Sequence, residues 1–117
     1  DAAYIHFKGA LTENYVITQL KCMGIESYFW RTKADAEIDF ISDHEGVLLP
    51  IEVKSADNTK AKSLRLFCSR YHPEMAINTS FKNVGDNISG DTHIWSIPLY
   101  VLFRLKEYIA YEMGWSE

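Results

Sequence analysis

AEIDFISDHEGVLLPIEVKS, residues 36–55, is the stretch that decides how this chain of 117 residues is expected to fold. Its first half alternates polar and apolar residues with the two-residue period of a β-strand, and its second half is again rich in β-branched and aliphatic residues. The four residues from Asp43 to Gly46 are typical of a turn. The stretch therefore predicts a β-hairpin in which Ser42 lies opposite Val47.

The charged residues of this hairpin are expected on one face of a sheet. Alternate side chains of a strand share a face, so Glu37 lies with Asp39 on one strand, and Glu52 lies with Lys54 on the next. The predicted register sets Glu37 opposite Glu52 and Asp39 diagonal to it. Three carboxylates and an ammonium group are therefore predicted to lie close together.

Carboxylates opposed on a hairpin repel one another, and a divalent cation would offset that repulsion. Mg²⁺ and Mn²⁺ take oxygen ligands, and Mg²⁺ usually binds one or two carboxylates together with water and substrate phosphate. Asp39 and Glu52 are the predicted metal ligands, and Lys54 is predicted to orient the attacking water or to stabilise charge on the phosphate. Glu37 is the reserve acid. The alternative is a solvated hairpin face, which produces the same alternation.

A further acid, Glu13, lies in the first predicted helix. It precedes Val16, Ile17 and Leu20 by three, four and seven residues, so it shares their apolar stripe. Acidic side chains are rarely buried without a partner, and a metal ion or Lys54 would supply one. The alternative is that Glu13 only interacts favourably with the helix dipole.

The rest of the sequence predicts an α/β domain. Apolar residues recur at helical spacing in three segments, and runs of β-branched and aromatic residues mark further strands. A hairpin followed by a helical crossover requires a mixed sheet with helices on both faces, in the order αβββαββα. Outside the hairpin, the predicted elements are helices from Leu11 to Met23 (bounded by Gly9 and Gly24), Lys60 to Tyr71 and Leu99 to Met113, strands from Ile25 to Arg31, Glu74 to Phe81 and Thr92 to Ile97, and a polar loop from Gly85 to Gly90.

Composition and charge set bounds on the function. No apolar stretch approaches the roughly 20 residues of a membrane span, and the first residues lack the apolar region of a signal peptide, so a cytoplasmic protein is expected. The net charge of −4 argues against coating of nucleic acid by charge alone. Basic residues nevertheless cluster after the hairpin, where Lys60, Lys62 and Arg65 are predicted to contact the DNA backbone, with a solvated helix face as the alternative.

The cysteines and histidines are predicted to have no chemical role. Cys22 and Cys68 lie far apart in apolar helical patterns without metal-ligand spacing, and both are expected to be buried thiols. The four histidines are scattered over the sequence, and no two of them show the spacing of metal ligands.

Several segments together resemble a known family. In order along the chain they are KGALTENYVITQL, YFWRTKADAEIDFI, LPIEVKS, KSLRLF and IPLYVLFRL, and they resemble the domain of unknown function at the C-terminus of prokaryotic AAA+-like ATPases. Asp39, twelve intervening residues and then Glu52-Val53-Lys54 also resemble the D…ExK signature of PD-(D/E)XK phosphodiesterases. The GALTEN helix supplies an extra acid, as in archaeal Holliday-junction resolvases.

The resemblance implies a restriction-endonuclease-like core formed by residues 1–117 as a single domain, the C-terminal fragment of a larger chain with a P-loop ATPase domain. It implies Glu13, Asp39, Glu52 and Lys54 as catalytic residues, with Mg²⁺ or Mn²⁺ held by the three acids and DNA as substrate. The expected function is a metal-dependent DNA phosphodiesterase. The alternative is a catalytically inactive module of the same fold that binds nucleic acid or a protein partner.

Overall fold

Among the described residues, six strands form one mixed sheet that is flanked by helices on both faces. A computed structural model describes residues 2–31, 37–54, 62–80 and 84–116, with side chains at all of these except residues 2, 4–8, 30, 31, 37–39 and 62. The elements are α1 (Ala2–Cys22), β1 (Glu26–Arg31), β2 (Glu37–His44), β3 (Val47–Val53), α2 (Lys62–Tyr71), β4 (Met75–Ser80), β5 (Gly85–Ser89), β6 (Thr92–Pro98), a 3₁₀ helix (Leu99–Arg104) and α3 (Leu105–Met113).

The strand order of the sheet is β1-β2-β3-β4-β6-β5. β1, β2 and β3 are antiparallel neighbours, as short connections require, whereas β3 pairs with β4 in parallel through the crossover that contains α2. β4 and β6 are also parallel, and β5 returns antiparallel at the far edge. The expected α/β class, with a mixed sheet and helices on both faces, is confirmed. No helix within the described ranges has both the length and the apolar character needed to cross a membrane.

The hairpin turn is shorter than predicted. Glu45 and Gly46 form a two-residue turn with φ of 51° and 82°, and His44 pairs directly with Val47. Positive φ at both central positions is the geometry that matches the twist of two antiparallel strands. The Asp43 carboxylate strengthens the turn by accepting a hydrogen bond of 3.1 Å from the Gly46 N–H. The predicted pairing of Ser42 with Val47 is therefore wrong by two residues, which keeps each side chain on its predicted face.

The core is divided between the two faces of the sheet. The α1 face, which carries Phe40, Ile51 and Ile77, packs against α1, the 3₁₀ helix and α3 and contains most of the buried apolar side chains. The α2 face, which carries Ala76 and Ile94, packs against the buried stripe of α2. Strand alternation therefore assigns odd-numbered residues of β3 to the α1 face and even-numbered residues to the α2 face.

Two predicted boundaries differ from the structure. α1 begins at Ala2 and runs through Gly9, because a single helical glycine costs only about 1 kcal/mol relative to alanine and good helix formers adjoin it. The predicted closing helix begins as a 3₁₀ helix, Leu99–Arg104, and becomes α-helical only at Leu105. In this segment Leu102, Leu105 and Ile109 are buried, and Met113 packs against the core with partial burial.

The predicted polar loop from Gly85 to Gly90 is largely a strand, β5. Its residues are mostly exposed and lack apolar alternation, so pairing with β6, rather than local preference, holds them extended. Ser89 pairs with Thr92, which leaves only Gly90 and Asp91 in the turn. Gly-Asp is a known signal for a two-residue hairpin and could have indicated this strand from the sequence. The prediction of two buried thiols is half wrong, since Cys22 is exposed and Cys68 is buried.

Candidate active site

A buried ion pair lies on the α2 face at the end of β3. Glu52 and Lys54 point away from Ile51 and Val53 because side chains alternate along an extended chain. Lys54 Nζ lies 2.8 Å from Glu52 Oε1, and the two side chains are only 16% and 6% exposed. Solvent screens such a pair far less than it screens a surface ion pair. The structure thus brings two of the predicted site residues into direct contact.

The backbone of β4 fixes the position of this pair. Lys54 follows the last residue of β3, yet its N–H donates a hydrogen bond of 2.8 Å to the carbonyl oxygen of Thr79. The parallel pairing therefore continues past the end of β3. Since the backbone of Lys54 is held by the sheet, its ammonium group is presented from a rigid element rather than from a loop.

Two polar residues that sequence reasoning missed continue the site across the sheet. Glu52 pairs with Asn78 of β4, and Asn78 pairs with Ser96 of β6, so the three residues lie side by side on the α2 face. Asn78 Oδ1 is buried and has no hydrogen-bond partner among the described residues. The available signal was Asn78 itself, because asparagine is depleted in strand interiors.

Two acids of β2, Glu37 and Asp39, were predicted to lie near Glu52. Along one edge of β2, Phe40 pairs with Ile51 of β3. Along the other edge of β2, Glu37 pairs with Arg31 of β1. The pairing of β2 with β3 begins at Phe40, and the pairing of β2 with β1 shifts register between Ile38 and Ile41, so the position of Asp39 opposite Glu52 stays a prediction. The side chains of both acids lie outside the described residues, although their backbone belongs to β2.

The fourth predicted acid approaches from the other side of the sheet. Glu13 is half-buried on α1, one turn before the fully buried Val16. α1 packs on the α1 face, whereas Glu52 and Lys54 belong to the α2 face. Glu13 can therefore reach the ion pair only around the end of the sheet.

The predicted DNA-contacting residues are associated with α2. Arg65 is exposed on this helix, and Lys62 is its first residue, with a side chain outside the description. Lys60 lies outside the described residues. α2 contains no acidic residue and covers the same face of the sheet that carries Glu52 and Lys54. The helix that carries Arg65 and the ion pair therefore lie on the same side of the sheet.

The donor atoms of the site are suited to a hard cation. Within the described part of the chain, no group of three His, Cys, Asp or Glu side chains is arranged to hold a metal ion, and the side chain of Asp39 is not in that part. The Glu52 carboxylate and the buried Asn78 Oδ1 are oxygen donors on neighbouring strands, which is the donor type that Mg²⁺ and Mn²⁺ prefer. These two described oxygen donors are of the type that fits such an ion.

Comparison with known families identifies a match over most of the chain. The family model described as "Domain of unknown function (DUF4143)" matches residues 8–101, which include Glu13, Asp39, Glu52 and Lys54. No curated protein matches the chain.

Proposed function

The chain belongs to the DUF4143 family of domains of unknown function, and from its own residues we propose that it is a metal-dependent DNA phosphodiesterase. In this proposal the domain is a restriction-endonuclease-like core of the PD-(D/E)XK type. The order of elements supports that interpretation: α1 is followed by three antiparallel strands, the crossover helix α2 and the parallel strand β4. In this unit α1 and α2 pack on opposite faces of the sheet. Within the same proposal the domain belongs to a larger cytoplasmic chain with a P-loop ATPase domain.

The observation that carries the proposal is the buried contact between Lys54 and Glu52. Burial of a carboxylate and an ammonium group costs several kcal/mol per ion before their attraction is counted, and replacing such a pair by apolar residues is often neutral or stabilising. A fold gains little stability from keeping it. A chemical role accounts for a pair held on a rigid strand, 2.8 Å apart and beside the buried oxygen of Asn78.

Each residue has a distinct role in the proposed reaction. Asp39 and Glu52 hold the divalent cation, with Asn78 Oδ1 as an additional oxygen donor and Glu13 acting through water from the end of the sheet. When bound, the cation supplies positive charge at the scissile phosphate and activates water. Lys54 orients the attacking water and stabilises charge that develops on the phosphate oxygens.

Two of the three proposed substrate contacts, Lys62 and Arg65, belong to α2, and Lys60 precedes this helix in the sequence. Lys60, Lys62 and Arg65 attract the DNA backbone to the α2 face, because neutralising phosphates with lysine and arginine releases bound counterions. The net charge of −4 requires this attraction to be local, confined to one side of the domain. These three basic residues are therefore expected to raise the affinity for DNA without selecting a base sequence.

One observation favours a second candidate function. Lys54 already satisfies one oxygen of Glu52, so the pair is balanced in charge without a metal ion. In this alternative the domain is an inactive module that keeps the fold to bind nucleic acid or a protein. The two functions differ in whether the site takes up a cation.

Thermal unfolding in EDTA, Mg²⁺ and Mn²⁺ tests the proposal. A cation that binds only the folded state stabilises it by about 2.7 kcal/mol at about 100 times its Kd, and the Tm rises accordingly. We expect this increase in the wild type and in Glu74→Gln, which replaces an exposed acid directly before β4, and its loss in Asp39→Asn and Glu52→Gln. Metal-dependent cleavage of plasmid or branched DNA that is lost in Lys54→Met would complete the case. No change in Tm at millimolar metal would favour the inactive module.

A further inference from the structure

His93 of β6 lies between two carboxylates from different elements. Its Nε2 is 2.6 Å from Asp86 Oδ2 on the edge strand β5, and its Nδ1 is 2.6 Å from Glu112 Oε1 on α3. The side chains of His93 and Glu112 are each only 20% exposed. The imidazole therefore bridges the last helix and the edge of the sheet, although no role was predicted for any histidine.

The two short contacts determine the protonation of the ring. A neutral imidazole has one N–H donor and one nitrogen lone pair, whereas an ionised carboxylate only accepts hydrogen bonds. With a carboxylate oxygen 2.6 Å from each ring nitrogen, a neutral ring would turn its lone pair toward one of them. Both contacts are favourable only when both nitrogens carry a proton, so the geometry requires an imidazolium.

Trp95 anchors the same carboxylate. Its indole N–H donates a hydrogen bond of 2.8 Å to Glu112 Oε1, the oxygen that contacts His93. The His93 and Trp95 rings are also in contact, with centroids 4.5 Å apart and planes tilted by 36°. Glu112 is thus held by two donors from β6, which tie the end of α3 to the sheet.

We propose that protonated His93 is a pH-sensitive clamp that ties the edge strand β5 and the C-terminal half of α3 to β6. Loss of its proton leaves only one N–H for two carboxylates, so either Asp86 or Glu112 is released. Trp95 of β6 also lines a surface cavity of about 290 Å³, together with Tyr108 and Tyr111 of α3. Release of Glu112 therefore loosens one wall of this cavity.

The surrounding charges agree with this assignment. Burial by itself lowers the pKa of His93, but the hydrogen bonds and negative charges of Asp86 and Glu112 outweigh it, so the pKa lies above the ordinary 6.5. On β4, Met75 pairs with His93 and brings no charge. On the helical side, Arg104 and Glu107 pair with each other, 2.7 Å apart, and leave Glu112 to His93.

The sign of the pH dependence follows from the raised pKa. A group with a higher pKa in the folded state stabilises that state fully below the unfolded pKa, and this contribution is lost as the pH rises through the folded pKa. The clamp is therefore closed below about pH 6.5 and opens as the pH rises through the raised pKa of His93.

NMR titration of the whole 117-residue chain, with labelled histidine and tryptophan, tests the clamp. We expect His93 to titrate above pH 6.5 and the Trp95 indole resonance to shift with the same midpoint. Glu112→Gln and Asp86→Asn should each lower that midpoint. His72→Gln is the matched control, because His72 forms a longer and more exposed pair, 3.5 Å from Asp91, and the midpoint of His93 should not move.

Hydrogen exchange measures the opening directly. Protection of the amides in the last turn of α3, taken relative to the intrinsic exchange rate at each pH, should fall above the midpoint in the wild type, and this step should be absent in His93→Gln because glutamine cannot carry the charge. A midpoint at or below pH 6.5, or one that Glu112→Gln leaves unchanged, would overturn the proposal. So would α3 exchange that follows the same pH profile in the wild type and in His93→Gln.

Discussion

Replacement of Lys54 by methionine is expected to destabilise the domain strongly while preserving the volume and apolar stem of the side chain. At 2.8 Å the attraction of two unit charges is about 6 kcal/mol at an effective dielectric constant of about 20, and the burial of both ions offsets most of it. The variant keeps the cost of burying Glu52, which is 4% exposed, without the ammonium group that compensates it. Breaking a buried pair typically costs about 3–5 kcal/mol, and the residual exposure of Lys54 reduces the expected loss to about 2–4 kcal/mol.

Urea unfolding at neutral pH, followed by circular dichroism, measures this loss as a change in midpoint at constant m-value. The double variant Glu52→Leu/Lys54→Met should recover most of the stability, because two apolar side chains replace the two buried charges. Arg104→Met is the control, since it removes an ion pair of 2.7 Å between side chains that are 56% and 52% exposed, and it should change stability little. If Lys54→Met costs no more than Arg104→Met, the Lys54–Glu52 contact contributes little and the reasoning is refuted.

Two further predictions concern the hairpin turn and the thiols. Gly46→Ala should lower the free energy of unfolding by about 1–2 kcal/mol, because Gly46 has a φ of 82°, whereas Gly85→Ala, in open space without a positive φ, should change it by less than about 0.5 kcal/mol in the same urea assay. Burial raises the pKa of the Cys68 thiol, an effect that a hydrogen bond with Thr92 only partly opposes, so a thiol reagent should modify the exposed Cys22 in the native protein and Cys68 only after unfolding. Mass spectrometry of the modified protein would contradict this if both cysteines reacted at similar rates.

Much of the fold was predictable because its strongest signals are local. The alternation around Asp39 and Glu52 identified a hairpin, and the apolar stripes identified helices that flank a sheet. These patterns depend on which residues face the core, and a shift of register by two residues leaves the faces unchanged. The faces predicted for the paired hairpin residues are therefore correct, although the predicted turn displaced every pair of the hairpin by two residues.

The remaining features depend on distant parts of the chain. Gly85 to Ser89 is extended because β6 is beside it, and Asn78 joins the site because a parallel crossover brings β4 next to β3. His93 becomes a bridging cation only where α3 returns to the sheet with Glu112. Such contacts leave no periodic pattern in the sequence, since each joins residues whose separation is set by the whole topology.

Because the turn at Glu45 and Gly46 is compact, an insertion or deletion between Asp39 and Glu52 would change the position of Glu52 on the sheet. Five paired residues on each strand and the two turn residues make up the twelve residues between these acids. One residue added to β3 before Ile51 would move Glu52 and Lys54 together to the α1 face and Ile51 to the α2 face, which would place two charges in the main core. Two added residues would restore the face but move Glu52 past Asp39. Chains that retain this chemistry are thus free to vary in composition along the hairpin but not in its length.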